Sequence, residues 1–231
     1  MTLIKVCGLT NYDDAQAAID AGADMLGFIF YAKSPRAVEP GQVCEMISKL
    51  DFGERAVLKI GVFVNEATDD ITTVSKSSQL DAAQLHGEEP AEMLGLGRKS
   101  DVGSRLTGRA YKAIRPASVE EATLLVDKYN LPVQQRMDGR LPALLVDSFN
   151  PLMRGGTGKT GDWHMAARIA LQYPILLAGG LTPENIGDAV RAVHPWGVDI
   201  SSGIESTPGK KDHAALRNLI RAVKTASGKA E

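Results

Sequence analysis

The chain has 231 residues, 44% of them hydrophobic, with 26 Lys and Arg against 28 Asp and Glu and a pI near 6.1. A formal net charge of −2, with no basic run, excludes a nucleic-acid phosphate backbone as the main partner. No stretch approaches the roughly 20 apolar residues of a membrane span, the first apolar run is short and broken by Lys5, and two cysteines make no disulfide framework, so a cytoplasmic protein with reduced thiols is expected.

In chain order, LIKVC precedes a helix-like segment at 13–21, MLGFIFY one at 40–50, and VLKIGVFV one at 67–77. AAQLH is followed by 90–96, YKAI by 119–129, ALLVD by 163–171, ILLAGG by 183–193 and GVDIS by 212–226. Unalternating Val, Ile and Leu suit strands covered on both faces, and the helices between them are the crossovers a parallel sheet requires. Eight such units in a chain of this length predict an α/β fold, a (β/α)8 TIM barrel as a single domain over 1–231, with a tail that frays from about 226. Asn11, Thr10 and Thr182 stand where helix caps belong, and Pro40, Pro90 and Pro183 suit first turns. The stretches GLGRKSDVGSRLTGR and LPVQQRMDGRLP precede strands and are read as surface loops.

Chemistry in such a barrel sits at the strand exits. These bring Cys7, then Tyr31, Ser34 and Arg36, then Asn65, His86, Arg115, Asp147, Gly179 and Gly180, and finally Ser201, Ser202 and Gly203. The run RGGTGKTGDW looks at first like a nucleotide P-loop, but Met153 occupies the position of its first glycine. Together with AGGLTPEN and SSGIE it is read instead as one wall of a phosphomonoester pocket shared by three loops. Strand parity turns Lys5, Cys7, Leu145, Asp147, Asp199 and Ser201 inward and Ile4, Val6, Val198 and Ile200 outward. A Lys5–Asp199 ion pair follows from closure of the last strand on the first, and the lysine is expected to favour the Cys7 thiolate. Arg36 suits a substrate carboxylate. His86 is open to a structural or a site role, Cys44 reads as core, and His164, His194 and His213 as solvated.

With these residues in hand the chain resembles the phosphoribosylanthranilate isomerase family over nearly its whole length. The resemblance is carried by KVCGLTNYDDA, GADMLGFIFYAKSPR, KIGVFVNE, QLHGEEP, LLVDS, GGTGKTGDW, LAGGLTPENI and VDISSGIESTPGKKDH. It departs in the two surface stretches and around Arg115. The resemblance implies an Amadori rearrangement of N-(5-phosphoribosyl)anthranilate with no cofactor and no metal. It implies Asp147 as general acid on the ring oxygen and Cys7 as general base at C2. Arg36 would hold the anthranilate carboxylate with His86 nearby, the phosphate would rest on Gly156, Gly158, Gly180, Ser202 and Gly203, and Asp199 would complete the substrate-binding set. The expected partner is a small-molecule phosphosugar, and the expected assembly a monomer or homodimer. Alternatives are a histidine-pathway isomerase, against which Cys7 counts because that family carries a carboxylate there, a non-catalytic phosphosugar-binding barrel, and a metal-dependent epimerase.

Overall fold

Runs of Val, Ile and Leu without alternation are stable only where both faces are covered. The computed structural model of the chain describes residues 2–96, 106, 108–133, 136–137, 139–147 and 163–228. In it eight parallel strands close on themselves: β1 (Leu3–Cys7), β2 (Met25–Ile29), β3 (Leu58–Phe63), β4 (Ala82–Leu85), β5 (Ala110–Ile114), β6 (Leu144–Asp147), β7 (Ile175–Ala178) and β8 (Gly197–Ile200). The ring seals where β8 pairs with β1, Asp199 level with Lys5. Around it lie α1 (Tyr12–Ala21), α2 (Pro40–Lys49), α3 (Thr68–Ser77), α4 (Val119–Tyr129), α5 (Trp163–Ala170), α6 (Ile186–Val193) and α7 (His213–Ala226). This is the (β/α)8 barrel the βα period predicts. A small hairpin, β9 (Glu205–Thr207) with β10 (Lys210–Lys211), is inserted between β8 and α7.

The helices cover the barrel with apolar stripes. In α7 the buried residues Leu216, Leu219, Ile220 and Val223 fall at helical spacing on one face. They meet strand residues of the outward set, among them Ile4, Val6 and Val198, in one continuous core. Asn11 caps α1 by accepting from the Asp14 N–H at 2.9 Å, and Gly22 ends that helix in the left-handed region at φ 111°. No described helix is long and apolar enough to cross a membrane.

Four expectations need correction. The segment after β4 is a 3-10 turn over Ala91–Leu94 rather than a full helix, because Gly95 turns the chain away at φ 80°. Helix α6 begins at Ile186, with Pro183 in the turn before it, and Thr182 is no cap: its N–H donates to Asn185 Oδ1 at 2.9 Å. Thr10 likewise leaves capping to Asn11 and donates to the Gly209 carbonyl at 2.6 Å. The stretch before β6 is more than surface loop, since Leu131, Arg136 and Leu141 are buried under the barrel. Of the stretch before β5, residues 97–105 and 107 lie outside the described residues, while Leu106 packs against the core.

Candidate active site

Residues two apart on a strand share a face. Along the C-terminal rim the inward set is Cys7 on β1, Gln84 on β4 with His86 one step beyond it, Asp147 on β6, and Asp199 on β8 with Ser201 beyond. They line one cavity of about 420 Å³, joined by Arg36, Arg115, Gly180, Ser202 and Gly203. Cys7, Arg36, His86, Asp147, Gly180, Asp199, Ser202 and Gly203, all anticipated from the sequence, are thus together. Gly156 and Gly158 lie outside the described residues. Cys7 and Asp147 face the cavity from strands that β7 and β8 separate.

The floor is a polar network whose Lys5, Gln84 and Tyr111 are buried. Lys5 is fully buried, and its Nζ donates to Asp199 Oδ1 at 2.9 Å and to Gln84 Oε1 at 2.8 Å. Burial pulls its pKa down, but the Asp199 carboxylate, together with smaller contributions from Cys7 and Tyr111, outweighs that and raises it above the ordinary lysine range. Tyr111 donates its hydroxyl to the same Gln84 oxygen at 2.9 Å. With Oε1 accepting twice, the Gln84 amide is oriented so that Nε2 donates to His86 Nδ1 at 2.9 Å. His86 then carries its proton on Nε2. Burial pushes its pKa down, so it is a neutral donor.

The thiol departs from expectation. Lys5 and Lys211 both pull Cys7 toward thiolate, yet desolvation outweighs them and raises its pKa above the ordinary value of 9.0. Burial is the main cause, and Asp199, which neutralises Lys5, adds to it by opposing a second negative charge. At neutral pH Cys7 is therefore a protonated thiol.

Around the rim two arginines hold carboxylates. Arg115 donates from Nε at 3.0 Å and Nη2 at 2.6 Å to one oxygen of Asp147, Oδ2. Asp147 is mostly buried, whereas Arg115 is 63% exposed. Arg36 is engaged by both oxygens of Glu205, with Nε at 2.8 Å from Oε1 and Nη2 at 2.6 Å from Oε2. Gly8 leaves the space for this, since a Cβ there would sit 2.6 Å from Arg36 Cδ.

The loops after β7 and β8 interlock. A Cβ on Gly203 would collide with the Leu181 carbonyl oxygen, so the loop after β8 can lie on the loop after β7 only with glycine there. Asn185 pins the second loop from below, donating to the Gly180 carbonyl at 2.9 Å. Among the described residues no group of three or more His, Cys, Asp and Glu side chains is placed to hold a metal ion.

Sequence reasoning missed Gln84, Tyr111, Glu205 and Lys211. Gln84 was legible, because QLH puts it on the same face as His86. The hairpin carrying Glu205 and Lys211 was signalled by the Pro208–Gly209 turn between EST and KK. Two lesser expectations also change. Cys44 is half-buried beside Gln79 rather than in the core, and His213 is half-buried, 2.8 Å from Asp14 Oδ1, while His164 and His194 are exposed as expected.

Comparison with known proteins adds to this geometry. The family model for N-(5'phosphoribosyl)anthranilate (PRA) isomerase matches residues 4–222. A Pelobacter propionicus protein named N-(5'-phosphoribosyl)anthranilate isomerase is 42% identical over 225 residues, covering 97% of this chain and 96% of its own. The crystal structure of phosphoribosyl anthranilate isomerase from Thermotoga maritima superposes with a TM-score of 0.79 at 34% identity, over 97% of this chain and 100% of that one. A crystal structure of phosphoribosyl anthranilate isomerase in complex with reduced 1-(o-carboxyphenylamino)-1-deoxyribulose 5-phosphate gives 0.77 at 32% identity, with the same two coverages of 97% and 100%.

Proposed function

The chain belongs to the N-(5'-phosphoribosyl)anthranilate isomerase family and performs that family's Amadori rearrangement in tryptophan biosynthesis, and from this premise we propose how its own residues divide the work. Asp147 gives a proton to the furanose ring oxygen as the bond from C1 to that oxygen breaks, leaving a protonated Schiff base between C1 and the anthranilate nitrogen. Cys7, as thiolate, then takes the proton from C2, and the resulting enolamine tautomerises to the aminoketose phosphate. The iminium cation forms beside the thiol at the step that needs a thiolate. Its positive charge favours transfer of the thiol proton to the Asp147 carboxylate that the first step leaves, and so favours the thiolate that acts at C2.

The observation that carries this reading is that the Asp147 carboxyl and the Cys7 thiol line the same 420 Å³ cavity from different strands. Asp147 donates only once Arg115 lets go of it. The exposure of that arginine supports such a movement. Arg36 takes the anthranilate carboxylate and His86 Nε2–H a substrate oxygen. The phosphate rests on N–H groups of Gly180, Ser202 and Gly203, and we assign Gly156 and Gly158 to the same role from the sequence. Asp199 acts through Lys5 on the cavity floor. The reaction uses no cofactor, and we place it in the cytoplasm, in a monomer or homodimer.

Steady-state assays of substrate fluorescence loss test the assignment. Cys7→Ala and Asp147→Asn are expected to lower kcat by about 10²–10⁴ with KM near wild type, and Cys44→Ala to change neither. A Cys7→Ala enzyme with near-normal turnover removes the base assignment.

A further inference from the structure

Glu205 has no place in the proton transfers, yet it is one of the most elaborately held side chains in the molecule. It is 4% exposed and accepts from Arg36 Nε at 2.8 Å and Nη2 at 2.6 Å, and from Lys211 Nζ at 2.8 Å. Lys211 is itself fully buried, and the same ammonium donates to the Cys7 carbonyl at 2.7 Å and the Ser201 carbonyl at 3.1 Å. Its backbone N–H is tied at 2.8 Å to Asp14 in the first turn of α1. The inserted hairpin β9–β10 thus sets a carboxylate against Arg36 and anchors it to the backbone at the end of β1.

Two consequences follow from charge and geometry. The cluster of Arg36, Lys211 and Glu205 carries two positive charges and one negative, so one positive charge is left over. Among the described residues no partner is found for Arg36 Nη1, and Arg36 borders the cavity. A guanidinium gripped on its Nε side is fixed in plane and presents its remaining N–H groups in one direction.

We propose that Glu205 is a positioning residue: anchored by Lys211, it holds the Arg36 guanidinium in the orientation that selects a ligand with a planar carboxylate on its aryl ring. This rests on the reading of Arg36 given above and extends it to the residue that makes the selection sharp. The sign of the effect distinguishes this role from simple charge. Removing a negative group from beside an anion strengthens binding by Coulomb's law, whereas loss of positioning weakens it.

The test is titration calorimetry with two stable ligands, reduced 1-(o-carboxyphenylamino)-1-deoxyribulose 5-phosphate and its counterpart lacking the carboxyl group. The wild type is expected to bind the carboxylated ligand at least about tenfold more tightly. In Glu205→Gln that preference falls by about tenfold, with the affinity for the uncarboxylated ligand unchanged, and adding Glu205→Gln to Arg36→Met changes nothing further. Glu205→Asp keeps the charge, withdraws the head group by one methylene and gives the same loss of preference, so the test survives if Glu205→Gln does not fold. A preference kept or increased in Glu205→Gln, with Arg36→Met abolishing it, overturns the role of Glu205 alone. A wild type that shows no preference overturns the reading of Arg36 and this proposal with it.

Discussion

Lys5 shows how much a single buried charge depends on its neighbours. With no exposure and two oxygen partners within 2.9 Å, it stays charged because Asp199 stands level with it across the β1–β8 seam. Lys5→Met is sterically mild but leaves the Asp199 carboxylate without its counter-ion. The expected cost is about 3–5 kcal/mol, read as a melting temperature lower by about 10 °C. A change within 2 °C or so would mean that the pair contributes little beyond its own desolvation. The pair was legible in the sequence, because parity along LIKVC and GVDIS and closure of the ring are enough to bring the two side chains together. The state of the Cys7 thiol was not. Lysine proximity is visible in a sequence, but the balance between that attraction, desolvation and the charge on Asp199 exists only once the barrel is closed.

At the scale of elements, the proposed phosphate side depends on how closely two loops approach. Gly203 lies on the Leu181 carbonyl, so Gly203→Ala forces the loops after β7 and β8 apart. The expected result is a KM raised by about tenfold or more, and inhibition by inorganic phosphate weakened in parallel, with kcat less affected. Gly41→Ala is the control. A Cβ there meets nothing within 4 Å in the first turn of α2, and the change is expected to be neutral or to stabilise by about 0.4–1 kcal/mol. Unchanged phosphate inhibition in Gly203→Ala would detach this loop contact from phosphate binding. The glycine-rich loops themselves were legible as strand exits, whereas their interlocking is a tertiary fact. The 3-10 turn at Ala91–Leu94 was misread for a related reason: PAEMLGL has helical composition, and the conformation of Gly95 decides its length.

Over the whole molecule, closure of the barrel concentrates buried ionisable groups at one end of the cylinder, and stability acquires a pH dependence that can be assigned to a residue. Folding raises the Cys7 pKa above the ordinary 9.0. Below about pH 9 the thiol is protonated in both the folded and the unfolded chain, and its contribution is fully present. As pH rises further, the unfolded chain releases the proton first and the folded state is disfavoured, by up to about 1.4 kcal/mol per pH unit until the folded-state pKa is reached. Tyr111, raised by folding from 10.0, and Lys5, raised from 10.5, act in the same direction only beyond about pH 10, and Lys112, lowered from 10.5, acts oppositely, so the thiol is read as the difference between wild type and a Cys7 variant between about pH 9 and 10. Thermal melts of wild type and Cys7→Ala across that window are expected to diverge, the wild type losing stability more steeply. Parallel curves would show that the Cys7 site is wet enough to ionise freely. The buried-thiol starting state of the proposed mechanism would then have to be abandoned, since the iminium charge would no longer be needed to draw the proton off.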